Sequence, residues 1–202
     1  PQPNIVPAHV QMAYVVRAND SLTMQEAYAR VEKIAQGAAL MTETDVTMQV
    51  KTCYASYLPN SVLETVFSGA QKQMIPTYTE QELAYADRYA AQRNLLRKPD
   101  LTQGVIAGAG TDVADVSWNV PTLTVTAICD GLGALHSWQF VAQGKSSIAH
   151  KGMHAAAQAL HAVAQKLFEQ PELCVQAKEE LVRRKGTAQY HSLLPEDARP
   201  GE

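Results

Sequence analysis

Little in this sequence favours a stapled, basic or membrane-embedded protein. Its three cysteines, Cys53, Cys129 and Cys174, are odd in number and widely spaced. That excludes both a disulfide framework and a CxxC metal knuckle, and reduced thiols in a cytoplasmic protein are the simplest account. Positive charge is scarce, with a formal net charge of −3. The longest basic cluster, Arg183-Arg184-Lys185, falls near a predicted helix C-terminus, where cations suit the helix dipole. Both facts argue against a nucleic-acid partner. No apolar run approaches the ~20 residues of a membrane span, and no secretory signal opens the chain. What is present is core material: 46% of the 202 residues are hydrophobic and 18% charged, enough for one large domain or two small ones. The chain begins at Pro1, directly in a strand-like segment, and so reads as a piece of something longer.

Periodicity divides the sequence. Residues 9–17 alternate, with Val10, Met12, Tyr14 and Val16 on one face and Arg17 on the more polar one, which predicts a half-buried strand. Thr23 and Glu26 have capping-box spacing ahead of an apolar stripe of Tyr28, Val31, Ala35 and Ala38, and Gly37 marks the expected end of that helix. A second alternating strand is expected from Thr44 to about Cys53. Beyond Pro59, Asn60 caps a helix bearing Val62, Leu63, Val66 and Phe67, and Thr79 with Glu82 forms another capping box. Residues 97–104 read as a loop, and Thr122–Cys129 as a β-branched strand. Ser146 or Ser147 starts a long helix to about residue 170, and residues 171–184 form one more. The expected domains are 1–54, 55–186 and an extended tail, 187–202.

Chemistry concentrates between Gly108 and Met153. A glycine-broken turn carries Gly110, Thr111, Asp112 and Asp115. An acidic, hydroxyl-bearing turn suits a substrate or metal pocket, although an Asx-turn and helix cap explains the same residues. His136 follows Gly131 and Gly133 on a loop, where function tends to collect; taken alone, a solvated histidine is the plain alternative. His150 and His154 share one helix face, but HKGMH lacks the glutamate that follows the first histidine in H-E-x-x-H. Glu179 and Glu180 read as a solvated face of a charged helix.

The run from Gly108 to Met153 closely resembles the aminoacylase/carboxypeptidase metallopeptidase family, and within it the p-aminobenzoyl-glutamate hydrolase branch. There G-S-T-D-V-x-D-V-S-W-x-x-P-T precedes H-S/T-W-Q-x-V-x-Q-G-x-S-x-I-A-H-K-G-M. Pro3-Asn4-Ile5-Val6-Pro7 and Arg17 resemble that family's P-N-x-V-P…R pattern. The resemblance implies an α/β fold: the C-terminal segment of a three-layer αβα catalytic domain plus half of an α+β lid, or dimerisation, domain. It implies two divalent metals, zinc or manganese, per complete site. His136 would be one metal ligand; Asn4, Arg17, Gly110, Thr111 and Asp112 would contact substrate, with Asp115 and His150 in support.

The implied reaction is hydrolysis of the amide of an N-acyl or N-aroyl amino acid, a small molecule with a carboxylate that an arginine fork would hold by paired charge-assisted bonds. Two metals would acidify a bridging water and a glutamate would take its proton. The family's His-x-Asp ligand motif, bridging aspartate, Glu-Glu pair and lid histidine are absent from this sequence. The expectation is therefore no catalytic residue and no hydrolase activity in this chain alone, with a homodimer formed through the lid. The rival expectation is a non-catalytic dimerisation or binding module.

Overall fold

In a computed structural model of the protein, residues 4–71, 76–91, 110–125, 127, 129, 136–196 and 198 are described. Seven helices supply their regular structure: α1 (Ser21–Thr42), α2 (Ser61–Gln71), α3 (Glu80–Ala91), α4 (Val113–Ser117), α5 (Trp138–Gln143), α6 (Ser147–Glu169) and α7 (Glu172–Lys185). The chain divides into two compact units, residues 1–56 with 192–202, and residues 57–191.

In the first unit, α1 starts at Asp20, three residues before the expected Thr23. The Asp20 backbone is extended, and its carboxylate accepts from the Thr23 amide at 2.8 Å and from the Thr23 hydroxyl at 2.8 Å. A carboxylate is the stronger acceptor at the positive end of a helix, so Thr23 answers Asp20 instead of capping for itself. Gly37 does not end the helix. Its cost of about 1 kcal/mol relative to alanine is too small to break a run that continues to Thr42. Termination comes at Glu43, in the left-handed region at φ 54°, whose N–H bonds back to Ala39.

The alternating segments on either side of α1 have no regular secondary structure and form no strand. Neither do the described residues of 122–129, of which positions 126 and 128 lie outside the description. No β-strand occurs among the described residues, and this overturns the expected α/β class with its αβα layers and α+β lid. Alternation fixes only which side chains share a face. A strand also needs a second backbone in register to pair its N–H and C=O groups, and among the described residues no ladder is built. The row expected to point inward is open: Val10, Met12 and Tyr14 are 61%, 68% and 73% exposed.

The second unit has a true core. Helix α2 packs on both α6 and α7, and Leu63, Ile148, Val163 and Leu181 are buried between them with Ala149, Ala159 and Ala177. Each of the four larger side chains contributes roughly 2 kcal/mol of burial. The alanines, with Gly152 also buried, leave room for close helix approach.

A carboxamide and a carboxylate fasten the start of α2. Asn60 Oδ1 accepts from the Leu63 amide at 3.2 Å, while its Nδ2 donates to the Ala177 carbonyl at 2.9 Å. Beside it, Glu180 is 2% exposed. Its oxygens accept from the hydroxyl and amide of Ser61, the amide of Val62 and Arg184 Nε at 2.7 Å. These donors, the Ser61 hydroxyl foremost, hold its carboxyl at about 2 against the cost of burial. Glu180 is therefore no solvated residue. It joins α7 to the amides that α2's first turn leaves without helical partners.

At α3 the Thr79–Glu82 capping box forms as expected: the Thr79 amide donates to Glu82 Oε2 at 2.7 Å, and the Glu82 amide to Thr79 Oγ1 at 3.3 Å. Lys151 on α6 adds an ion pair to Glu82 at 2.7 Å, donates to the Thr77 carbonyl at 2.9 Å and lies 5.6 Å from the centre of the Tyr78 ring. Hydrogen bonds from Lys151 and Ser147, then the Thr79 amide, lower the Glu82 carboxyl to about 2.

Candidate functional site

The acidic turn and α4 form a short knot. The Ala114 amide donates to the Thr111 carbonyl at 3.1 Å and the Asp115 amide to the Asp112 carbonyl at 3.0 Å. The Val113 amide reaches Thr111 Oγ1 at 3.3 Å. Asp112 precedes α4 with helical dihedrals and makes no side-chain cap. Its carboxylate is exposed, as is Gly110, while Thr111 is half-buried. Gly110, Thr111 and Asp112 thus present an outward edge with a hydroxyl and a carboxylate. The buried side of the knot is Ala114 and Ser117, 3% and 1% exposed.

Asp115 faces another way. Its Oδ1 accepts from the Tyr190 hydroxyl at 3.2 Å, and its carbonyl accepts from Asn119 Nδ2 at 3.0 Å. Nearby, the Ser117 hydroxyl accepts from the Leu58 amide at 2.9 Å and donates to the Ala114 carbonyl. Lys185 Nζ donates to the Trp118 carbonyl at 2.8 Å.

His136 is exposed and holds φ at 63°. That left-handed backbone is uncommon outside glycine, and such strain is retained mainly where surroundings or function demand it. Immediately after it, Ser137 caps α5, its hydroxyl accepting from the Phe140 amide at 3.3 Å. Trp138 is 70% exposed and leaves the imidazole open. Helix α5 runs into α6 through a tight link: Gln143 is fully buried, its Nε2 bonds to the Gln139 carbonyl, and the Ser146 amide donates to the Gln143 carbonyl at 2.8 Å. Ser146 then caps α6, accepting from the Ala149 amide at 3.1 Å. The H-S-W-Q-x-V-x-Q-G-x-S motif is thereby two capped helix starts joined by a buried glutamine. The glycines before His136, Gly131 and Gly133, lie outside the described residues, as does the expected loop at 97–104.

His150 and His154 are both exposed on α6. Asn4 and Arg17, the expected carboxylate contacts, are exposed residues of the first unit; the acidic turn, His136 and His150 belong to the second. Among the described residues no group of three or more histidine, cysteine, aspartate or glutamate side chains is placed to hold a metal ion. A catalytic zinc needs about three protein ligands. His136 can offer one imidazole donor, and the described residues do not complete a site. A groove of about 390 Å³ on α7, lined by Val175, Lys178, Glu179, Val182 and Arg183, includes none of the candidate residues.

Lys151, Lys185 and Tyr190 hold these elements in place, and sequence reasoning assigned them no such task. Lys151 meets Glu82 across 69 residues and Tyr190 meets Asp115 across 75, separations at which no local pattern links two residues. The two turn carboxylates differ only in what surrounds them, which spacing along the chain does not reveal.

The sequence is 34% identical, over 98% of its length, to a subunit of the p-aminobenzoyl-glutamate hydrolase of Escherichia coli (strain K12). The alignment covers 48% of that protein, so the chain spans about half the length of the curated relative it matches. The motif resemblance to the p-aminobenzoyl-glutamate hydrolase branch thus extends over nearly the entire chain. No family model matches the sequence, and no solved structure matches it. No described helix is long and apolar enough to cross a membrane.

Proposed function

From this likeness we propose that the chain is part of a metal-dependent amidohydrolase that cleaves the amide of an N-acyl or N-aroyl amino acid, p-aminobenzoyl-glutamate being the model substrate. The observation that carries the reading is the alignment, 34% identical across 98% of the chain, with a polypeptide of that hydrolase. In support, His136 is an accessible imidazole on a constrained backbone, and Gly110, Thr111 and Asp112 offer an outward polar edge.

The roles divide between this chain and residues beyond it. His136 would hold one zinc or manganese ion, the remaining ligands and the proton-accepting glutamate coming from outside these 202 residues. The metals would supply the activated water. The chain's own residues would bind substrate: Gly110, Thr111 and Asp112 as contacts in its pocket, and Asn4 and Arg17 as contacts to its carboxylate. Two copies would pair through residues 1–54, in the cytoplasm.

The test is metal content and hydrolysis of p-aminobenzoyl-glutamate by the product of the whole reading frame that encodes these residues. The expected result is metal-dependent turnover, with less metal bound and a rate lower by at least about 10-fold in His136→Ala, the low end of what loss of a ligand's supporting partner costs. Unchanged metal content in that variant refutes the assignment. The rival reading is a non-catalytic binding module. Metal-dependent turnover by the isolated 202 residues would exclude the module and equally refute the division of roles.

A further inference from the structure

We infer that Lys185 and Tyr190 are positioning residues for the Gly110–Asp112 edge, acting through α4; the inference rests on the functional reading above. A helix of five residues cannot hold itself in place, because its nucleation cost exceeds what one turn of hydrogen bonds returns. Something outside it must fix α4, and the structure supplies three attachments from two directions. On one side, Ser117, 1% exposed, accepts the Leu58 amide and donates to the Ala114 carbonyl. On the other, the end of α7 and the segment after it reach over: Lys185 Nζ takes the Trp118 carbonyl at 2.8 Å, and the Tyr190 hydroxyl takes Asp115 Oδ1 at 3.2 Å.

The lysine is placed where it does most. The Trp118 carbonyl lies just past the last helical residue, so the ammonium meets the negative end of α4. Asp115 is by this geometry the receiving post of a strap, distinct in task from Asp112, whose carboxylate stays exposed. Loss of either strap leaves every residue of the outward edge present but less fixed in orientation.

Hydrolysis of p-aminobenzoyl-glutamate by the full-length protein, combined with amide hydrogen exchange over residues 110–119, tests this. Tyr190→Phe removes the longer bond, a hydroxyl to a carboxylate at 3.2 Å, and Lys185→Met the shorter one, an ammonium to a carbonyl at 2.8 Å, each with one charged partner. The expected rise in KM is about threefold for the first and about tenfold for the second, with kcat nearly unchanged, since the lost interaction orients bound substrate. Exchange over 110–119 should quicken in both, and Lys185→Arg should restore KM. A residue that merely stabilised the fold would lower the active fraction, and so kcat, with KM untouched; that outcome overturns the inference, as does unaltered exchange. An inactive wild-type protein refutes the functional reading instead, and the exchange arm then still reports whether the straps hold the turn.

Discussion

Two helices of nearly equal length behave in opposite ways. Helix α1 spans 22 residues and buries none of them; α6 spans 23 and buries five, Ile148, Ala149, Gly152, Ala159 and Val163. Both have a side-chain cap at the start, and both carry apolar residues at helical spacing. The difference is company. Helix α6 packs on α2 and α7, while the segments flanking α1 supply no paired sheet for its stripe among the described residues. Helix propensity and capping suffice to form a helix, but burial, and with it most helical stability in proteins, comes from a partner surface.

The sharpest way to test that contrast is one substitution made twice. Ile148→Ala in α6 removes a side chain that is 5% exposed, and Ile34→Ala in α1 one that is 68% exposed. In urea unfolding the first should cost about 3 kcal/mol, transfer and cavity terms together, and the second should stay within about 0.5 kcal/mol. A large effect at Ile34 would mean that α1 is covered in solution, and the comparison would fall.

Next in size is the joint between α7 and α2. Glu180→Gln keeps the shape but weakens bonds to Ser61, Val62 and Arg184, and should cost about 2 kcal/mol near neutral pH. The sign with pH follows from the lowered carboxyl. Folded Glu180 titrates at about 2, against about 4.3 in an unfolded chain. Its contribution is therefore complete above about pH 4.3 and is lost as pH falls towards 2. The gap between wild type and Glu180→Gln should close over that window, as read from unfolding curves at stepped pH. Glu82, also held at about 2, keeps its own acid dependence in the variant. A gap that widens on acidification would contradict the assignment.

The smallest effect concerns backbone strain at the two non-glycine residues with positive φ among the described residues, Glu43 at 54° and His136 at 63°. Relief of left-handed strain is worth about 1 kcal/mol. Thermal unfolding should show Glu43→Gly more stable than Glu43→Ala by that amount, and His136→Gly more stable than His136→Ala. Only the pair at 136 should also lose metal in the full-length protein.

Much of the second unit was legible in advance where a signal is local. Asn60, the Thr79–Glu82 box and Ser146 each act within three residues of their partners, and caps at that range do not depend on the rest of the fold. Where two acceptors compete over the same few residues, as Asp20 and Thr23 do, spacing alone misplaced the start by one turn. The strands failed for a different reason. Residues 9–17 and 44–53 alternate, but alternation is a property of one segment and a sheet is a property of two.

Of the candidate site, the order of residue types from Gly110 to Asp115 and on to His136 could be read directly, as could the family likeness carried by those words. Orientation could not. That Asp112 looks out while Asp115 is strapped to Tyr190, and that Glu180 is interior while Glu179 is exposed, depends on which helix lies against which.

The amino-acid order by itself determined the capped starts of α2, α3 and α6, the absence of an apolar span among the described helices, and the chemistry on offer in the turn and at His136, because all of these are short-range. The tertiary structure alone decided which carboxylates are buried and tethered across the fold and which stay exposed. The physical reason is range: a hydrogen bond across 70 to 120 residues exists only after chain folding has offset the entropy of bringing its ends together.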